Sequence, residues 1–183
     1  TKLRKYPSIF LILLLAISSC FLTGCVNQHP KDSKKSSQGE SVETMLEITD
    51  PKEKQAVLNA KAKVKALSGN PRIVATSPAV ADICDKLDLD LVGVPKSSVS
   101  KIPSRYKKVK KVGLAMSPDM EIVSSLNPDW ILAPSSLETD LKPKFEELKN
   151  TEYAFLNLRS VQGMYRSVQE LGEIFGKQQE AEK

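Results

Sequence analysis

Short apolar runs alternate with amphipathic segments along residues 71–183. The apolar runs, of which 73–76 is rich in β-branched side chains, predict strands at 73–76, 91–94, 129–133 and 153–156. Apolar residues at helical spacing predict helices at 80–87, 120–126, 137–148 and 161–175, with one more amphipathic helix earlier, at 52–67. This alternation predicts an α/β fold, with a short parallel sheet flanked by helices on both faces.

The predicted order of strands and helices also indicates where a ligand would bind. In open parallel sheets, ligands bind beyond the C-terminal ends of the strands. Three connecting segments are expected at that edge: residues 76–78, the loop 95–111 and residues 133–136.

The N-terminal segment has the pattern of a secretory signal. Three cations, Lys2, Arg4 and Lys5, precede an apolar run at 9–17. A membrane-spanning helix is the alternative, but it needs about 20 apolar residues, and polar residues interrupt this run from Ser18. The ending Leu-Thr-Gly-Cys resembles the lipobox of bacterial lipoproteins. That resemblance implies lipidation (palmitate) of Cys25 and a place on the extracellular face of a Gram-positive cell membrane.

Four segments are therefore expected. Residues 1–24 form the signal peptide, 25–43 the lipidated cysteine with a polar flexible tether, 44–70 a region with the first amphipathic helix, and 71–183 the α/β ligand-binding lobe. The last residues, 178–183, favour helix without a stop signal, so we expect further protein beyond them.

Charge and composition exclude several classes of function. The net charge of +5 includes three cations of the signal, so the remaining chain is near +2, too little for a nucleic-acid binder. The single histidine, His29, lies in the tether, so no Ser-His-Asp or Cys-His site is expected, and we expect no enzyme. Cys84 is the one cysteine left after the lipobox, and its apolar surroundings predict a buried, inert thiol.

Two charged segments allow more than one interpretation. The loop 95–111 has seven cations and no acid, which fits a solvated loop, a surface facing anionic lipid, or a rim attracting a carboxylate-bearing ligand. The acids Asp82, Asp85, Asp88 and Asp90 are typical of a solvated surface more than of a metal or catalytic site.

Met116 is the candidate for metal chemistry. Its thioether comes just before a helix that Pro118 and Asp119 are expected to open. A methionine is often a core residue, but thioethers also serve as axial ligands of haem iron.

Several stretches together resemble the substrate-binding lipoproteins of iron-type ABC importers. They are residues 72–76, 87–93, 103–107, 116–121 and 126–130. The pair Pro-x-Arg-Tyr-Lys and Gly-x-x-Met-x-Pro, with residues 160–165, resembles the haem-binding branch of that family.

The resemblance implies a two-lobed periplasmic-binding-protein-like fold, of which this chain is the N-terminal lobe and the start of the linking helix. It implies haem b as the transported ligand, Met116 as an axial iron ligand, and Glu121 as the residue that docks on the permease. Ligand contacts are expected from free N–H groups at Ser77, Pro78, Ala79 and Val80 and from the loop residues Ser98, Val99 and Ser100. The implied partners are haem, ABC permease subunits, cell-wall haem-relay proteins and the membrane, through the lipid anchor.

Two other hypotheses stay open at this point. A ferric-siderophore or cobalamin receptor would share the fold and most of the motifs. A lipid-anchored interaction protein without a small ligand would share only the signal peptide and the lipid anchor. The second lobe, which would supply the other axial ligand, decides between haem and the alternatives most directly.

Overall fold

The computed structural model describes residues 48–183. The helices are α1 (Pro51–Lys65), α2 (Pro78–Lys86), α3 (Met120–Ser125), α4 (Glu138–Glu146), α5 (Val161–Phe175) and α6 (Gln178–Ala181). The strands are β1 (Ile73–Ala75), β2 (Gly93–Val94), β3 (Lys110–Lys111), β4 (Gly113–Leu114), β5 (Ser117–Pro118), β6 (Trp130–Pro134) and β7 (Glu152–Leu156). Short 3-10 turns lie at Ser104–Tyr106 and Ser135–Leu137.

Five strands form one parallel sheet in the order β3-β2-β1-β6-β7. The chain builds outward from β1 to β3 and then returns to place β6 on the other side of β1. The junction between β1 and β6 is therefore the point where the direction of winding reverses. In doubly wound sheets, the crevice at this point, outside the C-terminal strand ends, is where ligands bind.

Alternation along the central strands produces two cores, one on each face of the sheet. Ile73 and Ala75 of β1 pack with residues of α1, α2 and α5. Val74 packs on the opposite face with residues of α3 and α4. Because successive strand residues point to opposite faces, a fully apolar strand such as β1 supplies both cores.

Capping residues set the helix starts and one helix end. Ser77, Asp119 and Ser160 each accept a backbone N–H from the first turn of the helix that follows. Gly176 ends α5 in the left-handed conformation, with φ of 69°. Pro118 and Asp119 thus open α3 as the sequence predicts.

The α/β class, the parallel sheet and the five longer helices agree with the sequence prediction. The strand predicted at 91–94 is shorter, because Leu91 and Val92 precede the two paired residues Gly93 and Val94. Three two-residue strands, β3, β4 and β5, were not predicted, because two residues carry no detectable periodicity. None of the helices within residues 48–183 combines the length and apolar character that crossing a bilayer requires.

Candidate functional site

Two loops meet at the C-terminal edge of the sheet. One is the loop that follows β2, and the other is the β4–β5 hairpin that follows β3. The Lys96 backbone N–H, just after β2, donates to the Gly113 carbonyl at 2.7 Å. Val112 donates to the Val94 carbonyl at 2.9 Å, so the chain leaving β3 stays beside β2. These bonds hold the start of the loop that follows β2 beside the β4–β5 hairpin.

Met116 lies at the tip of that hairpin. Leu114 pairs with Ser117, so Ala115 and Met116 form the turn. The Met116 side chain is 73% exposed, which excludes the core position that an isolated methionine often takes. Its thioether is therefore open to a ligand arriving from outside the lobe.

The start of α2 follows β1 at the winding reversal, but it offers fewer free donors than the sequence predicts. Val80 donates its N–H to the Ser77 hydroxyl at 3.3 Å, and the Ser77 carbonyl accepts the Ala81 N–H at 3.0 Å. Pro78 has no N–H, so it cannot donate. Within the first turn of α2, Ala79 is left as the exposed residue whose N–H is outside these two hydrogen bonds.

The loop residues Ser98, Val99 and Ser100 are all exposed after β2. Val99 is 94% exposed, and Ser100 donates its N–H to the Ser97 hydroxyl at 3.0 Å. Residues 98–100 therefore present an exposed apolar side chain between two serine hydroxyls. They lie at the same end of the sheet as the β4–β5 hairpin.

Glu121 stands in the first turn of α3, directly after the hairpin. Asp119 caps this turn, accepting the N–H groups of Glu121 and Ile122 at 3.1 Å each. The Glu121 side chain is exposed, and no ion pair within residues 48–183 involves it. The carboxylate is thus available to a partner.

The acidic cluster and one cation of the 95–111 loop neutralise each other. Arg105 bonds Asp88 at 2.7 Å and Asp90 at 3.0 Å, and approaches Asp85 at 3.8 Å. Hydrogen bonds from Arg105 and Lys177 lower the pKa of Asp88. Asp85 lies in the last turn of α2, and Asp88 and Asp90 lie between α2 and β2, so Arg105 lies at the N-terminal edge of the sheet, away from the ligand edge. This geometry fits the interpretation of the acids as a solvated surface, and the ion pairs with Arg105 were not predicted.

An apolar groove of about 430 Å³ between α2 and α5 was not predicted. Ala79 lines it together with Val161, Met164 and Tyr165 of α5. Val161 is 69% exposed and Met164 46%, whereas Val168 and Leu171, further along the same stripe, are buried. The apolar stripe of α5 has the same helical spacing whether other elements cover its whole length or only its C-terminal half. The sequence therefore gave no indication of this groove.

Cys84 lies on the buried face of α2, as predicted, and burial raises the pKa of its thiol to about 12. The signal peptide, Cys25 and the tether lie outside the described residues. Within residues 48–183, no three His, Cys, Asp or Glu side chains are grouped to hold a metal ion.

This chain is similar to proteins named for heme uptake and for substrate binding by an ABC transporter. The curated heme uptake protein IsdE of Staphylococcus aureus, named for high-affinity heme uptake, is 37% identical over 114 residues, which are 62% of this chain and 38% of that protein. The chain thus spans about two fifths of the length of this relative.

Two solved structures share the fold. A substrate-binding protein of an ABC transporter from Listeria monocytogenes is 45% identical, with a TM-score of 0.59, covering 62% of this chain and 43% of that one. The S. aureus IsdE structure, solved in complex with heme, is 36% identical, with a TM-score of 0.58 and the same two coverages.

The family model described as "Periplasmic binding protein" matches residues 73–183, which contain the whole parallel sheet and the edge that bears Met116. Substrate binding is the role of such proteins, and the winding reversal of the sheet lies inside the matched region. The chain belongs to the periplasmic binding protein family.

Proposed function

We propose that this chain is the N-terminal lobe of a membrane-anchored receptor that binds haem and delivers it to an ABC permease for iron acquisition. The receptor binds and releases its ligand without making or breaking a bond in it. Haem is cargo here, and its iron stays coordinated throughout.

The observation that carries the proposal is the exposed thioether of Met116 on the hairpin tip. The β4–β5 hairpin holds this side chain 73% exposed at the sheet edge where ligands bind in such folds. Methionine is an established axial ligand of haem iron.

The surroundings of Met116 suit the rest of the haem molecule. Haem is a flat apolar ring with two carboxylates at one edge, so its site needs apolar walls and a few donors. Val99 and Leu114 offer exposed apolar side chains on the two loops next to β2 and β3. Ser98, Ser100 and the Ala79 N–H are donors available to the carboxylates. The similarity to IsdE supports the same ligand class.

Spectroscopy of the full chain with hemin tests the iron ligand. The expected result is a Soret band typical of axial ligation, which shifts in Met116→Ala with at least about tenfold weaker hemin binding. Ser117→Ala is the matched control, because it changes an exposed residue of the same hairpin and leaves the thioether in place. An identical spectrum for wild type and Met116→Ala would remove Met116 from the ligand set, and ferric-siderophore binding without hemin binding would overturn the choice of haem.

Lipid anchoring at Cys25 is the second part of the proposal. The signal pattern and the lipobox resemblance of the sequence support it. In Cys25→Ser we expect the protein to leave the membrane fraction of expressing cells. Retention of that variant in the membrane fraction would contradict anchoring through this cysteine.

A further inference from the structure

We propose that the lysine-rich side of the sheet docks on an anionic membrane surface. We call Lys107, Lys108, Lys110 and Lys111 the basic edge. They occupy β3, which is the outermost strand of the sheet, and the turn leading into it. The inference rests on the membrane tether proposed above, since the tether would keep this surface within reach of lipid headgroups.

Charge is strongly separated across the lobe. Residues 95–111 contain seven cations and no acid, whereas the other described residues contain 14 cations and 18 acids. One part of the lobe is therefore positive and the remainder is net negative. A surface of this kind orients a protein toward anionic lipid, because each lysine near the bilayer adds to the attraction.

The cations of the basic edge have no acidic neighbour to neutralise them. Among residues 48–183, the ion pairs use Lys61, Lys63, Arg105, Arg166 and Lys177. All four lysines of the basic edge are exposed and take part in none of these pairs. Arg105 belongs to the same loop, but the carboxylates of Asp88 and Asp90 neutralise it. Four cations without an ion pair thus lie within residues 107–111, on the outer strand and the turn that precedes it.

The basic edge is a different surface from the ligand edge. Lys110 and Lys111 pair along β2 as the last strand on one side of the sheet. Met116 and the start of α2 lie beyond the C-terminal ends of the strands. A membrane in contact with the side of the sheet would leave the ends of β1 and β6 open.

Lysines on an edge strand also prevent edge-to-edge association between sheets. Protection of the edge requires only that the side chains be charged, and positive or negative charges serve equally. It therefore does not depend on whether a vesicle is anionic or neutral. A requirement for positive charge on anionic vesicles therefore separates membrane docking from edge protection.

The test compares full-chain variants on vesicles made of equal parts phosphatidylglycerol and phosphatidylcholine and on vesicles of phosphatidylcholine alone. The variant K107Q/K108Q/K110Q/K111Q removes the basic edge. The matched control K52Q/K54Q/K142Q/K149Q removes four exposed lysines of α1 and of the α4 segment, none of which is in an ion pair among the described residues. The N-terminal segment is the same in all three proteins, so it cancels from the comparison.

We expect the basic-edge variant to partition onto the anionic vesicles at least about tenfold more weakly than wild type at low salt, with the control much closer to wild type. On neutral vesicles the three proteins should behave alike. Equal partitioning of the two quadruple variants on anionic vesicles would overturn the proposal.

Amine-reactive footprinting of the wild-type chain gives a second, mutation-free measurement. Bound to anionic vesicles, the four lysines of the basic edge should be labelled at least about threefold more slowly, while Lys142 and Lys149 keep their rates. Uniform labelling of both groups would also overturn the proposal. If Cys25→Ser stayed in the membrane fraction, the proposed tether would be contradicted. The vesicle comparison and the labelling comparison would keep their meaning in that case.

Discussion

Individual residues at the sheet edge determine how Met116 is presented. Gly113 begins the hairpin at φ of +98°, a conformation that other residues adopt at a cost. A Cβ there would lie 2.9 Å from the Asp119 nitrogen, and this N–H bonds the Val112 carbonyl at 2.7 Å. The same few atoms thus close the hairpin and start the helix that bears Glu121.

Gly113→Ala is expected to destabilise the lobe by about 1–3 kcal/mol, because it combines backbone strain with a clash against backbone atoms. Urea unfolding monitored by circular dichroism measures the change. Gly69→Ala is the matched control, since a Cβ there meets no atom within 4 Å, and its effect should stay within about 0.5 kcal/mol. Equal stability of Gly113→Ala and Gly69→Ala would show that the hairpin tolerates a side chain at 113.

Among the helices, the packing of α1 on α5 contains a carboxyl pair. Glu53 of α1 and Glu170 of α5 are neighbours, and Arg166 lies 3.9 Å from Glu53. Burial, together with the nearby Glu53 carboxyl, raises the pKa of Glu170 to about 8. The Lys61–Glu173 ion pair joins the same two helices, and its hydrogen bond lowers the pKa of Glu173.

This pair makes α1–α5 packing sensitive to pH. A carboxyl whose pKa is higher in the folded state stabilises the fold when protonated, so the free energy of unfolding should fall as pH rises from about 4.5 toward about 8. Partial solvent access screens the effect, and we expect a loss of about 1–2 kcal/mol.

Glu170→Gln should remove most of this dependence and be more stable than wild type at pH 9, because the amide carries no charge. Urea unfolding at pH 5 and pH 9 measures both. Glu182→Gln, an exposed acid near the chain end, should keep the wild-type pH dependence. If the free energy of unfolding of Glu170→Gln changed with pH as it does in the wild type, groups other than Glu170 would be responsible for the change.

At the scale of the whole molecule, the lobe presents three exposed features. The ligand edge holds Met116, the basic edge lies on the outer strand β3, and Glu121 opens α3 after the hairpin. A receptor that hands its ligand to a permease needs ligand binding and docking to be separable. The exposed Glu121 carboxylate, without an ion pair in the described part of the chain, fits the docking role.

Glu121→Ala should abolish haem-dependent growth of cells that rely on this receptor, while hemin binding by the purified protein stays at the wild-type level. The physical reason is the loss of a charge that a permease cation would pair with. Glu138→Ala, which removes an exposed first-turn acid of α4, should leave growth unchanged. Normal growth of Glu121→Ala would reject the docking role.

Much of the fold could be predicted from sequence because helices and longer strands are local patterns. Apolar spacing placed α1 to α5 and the main strands, and Asp119 marked the start of α3. The hairpin could not be predicted, since β4 and β5 have two residues each. The number of free N–H groups at α2 was also overestimated, because Ser77 uses its own hydroxyl to bond Val80.

The order of apolar and polar residues was enough to predict an α/β lobe and the edge at which its loops gather, because these depend on neighbours along the chain. Met116 became a candidate iron ligand through its thioether and the family resemblance, and that role remains a prediction. Contacts between distant residues decided the rest. Arg105 meets Asp88 across 17 positions, which removes one cation from the basic loop, and the hairpin turns Met116 outward rather than into the core. The contact of Arg105 and the orientation of Met116 depend on which side chains come together in the folded chain, and no local sequence pattern predicts this.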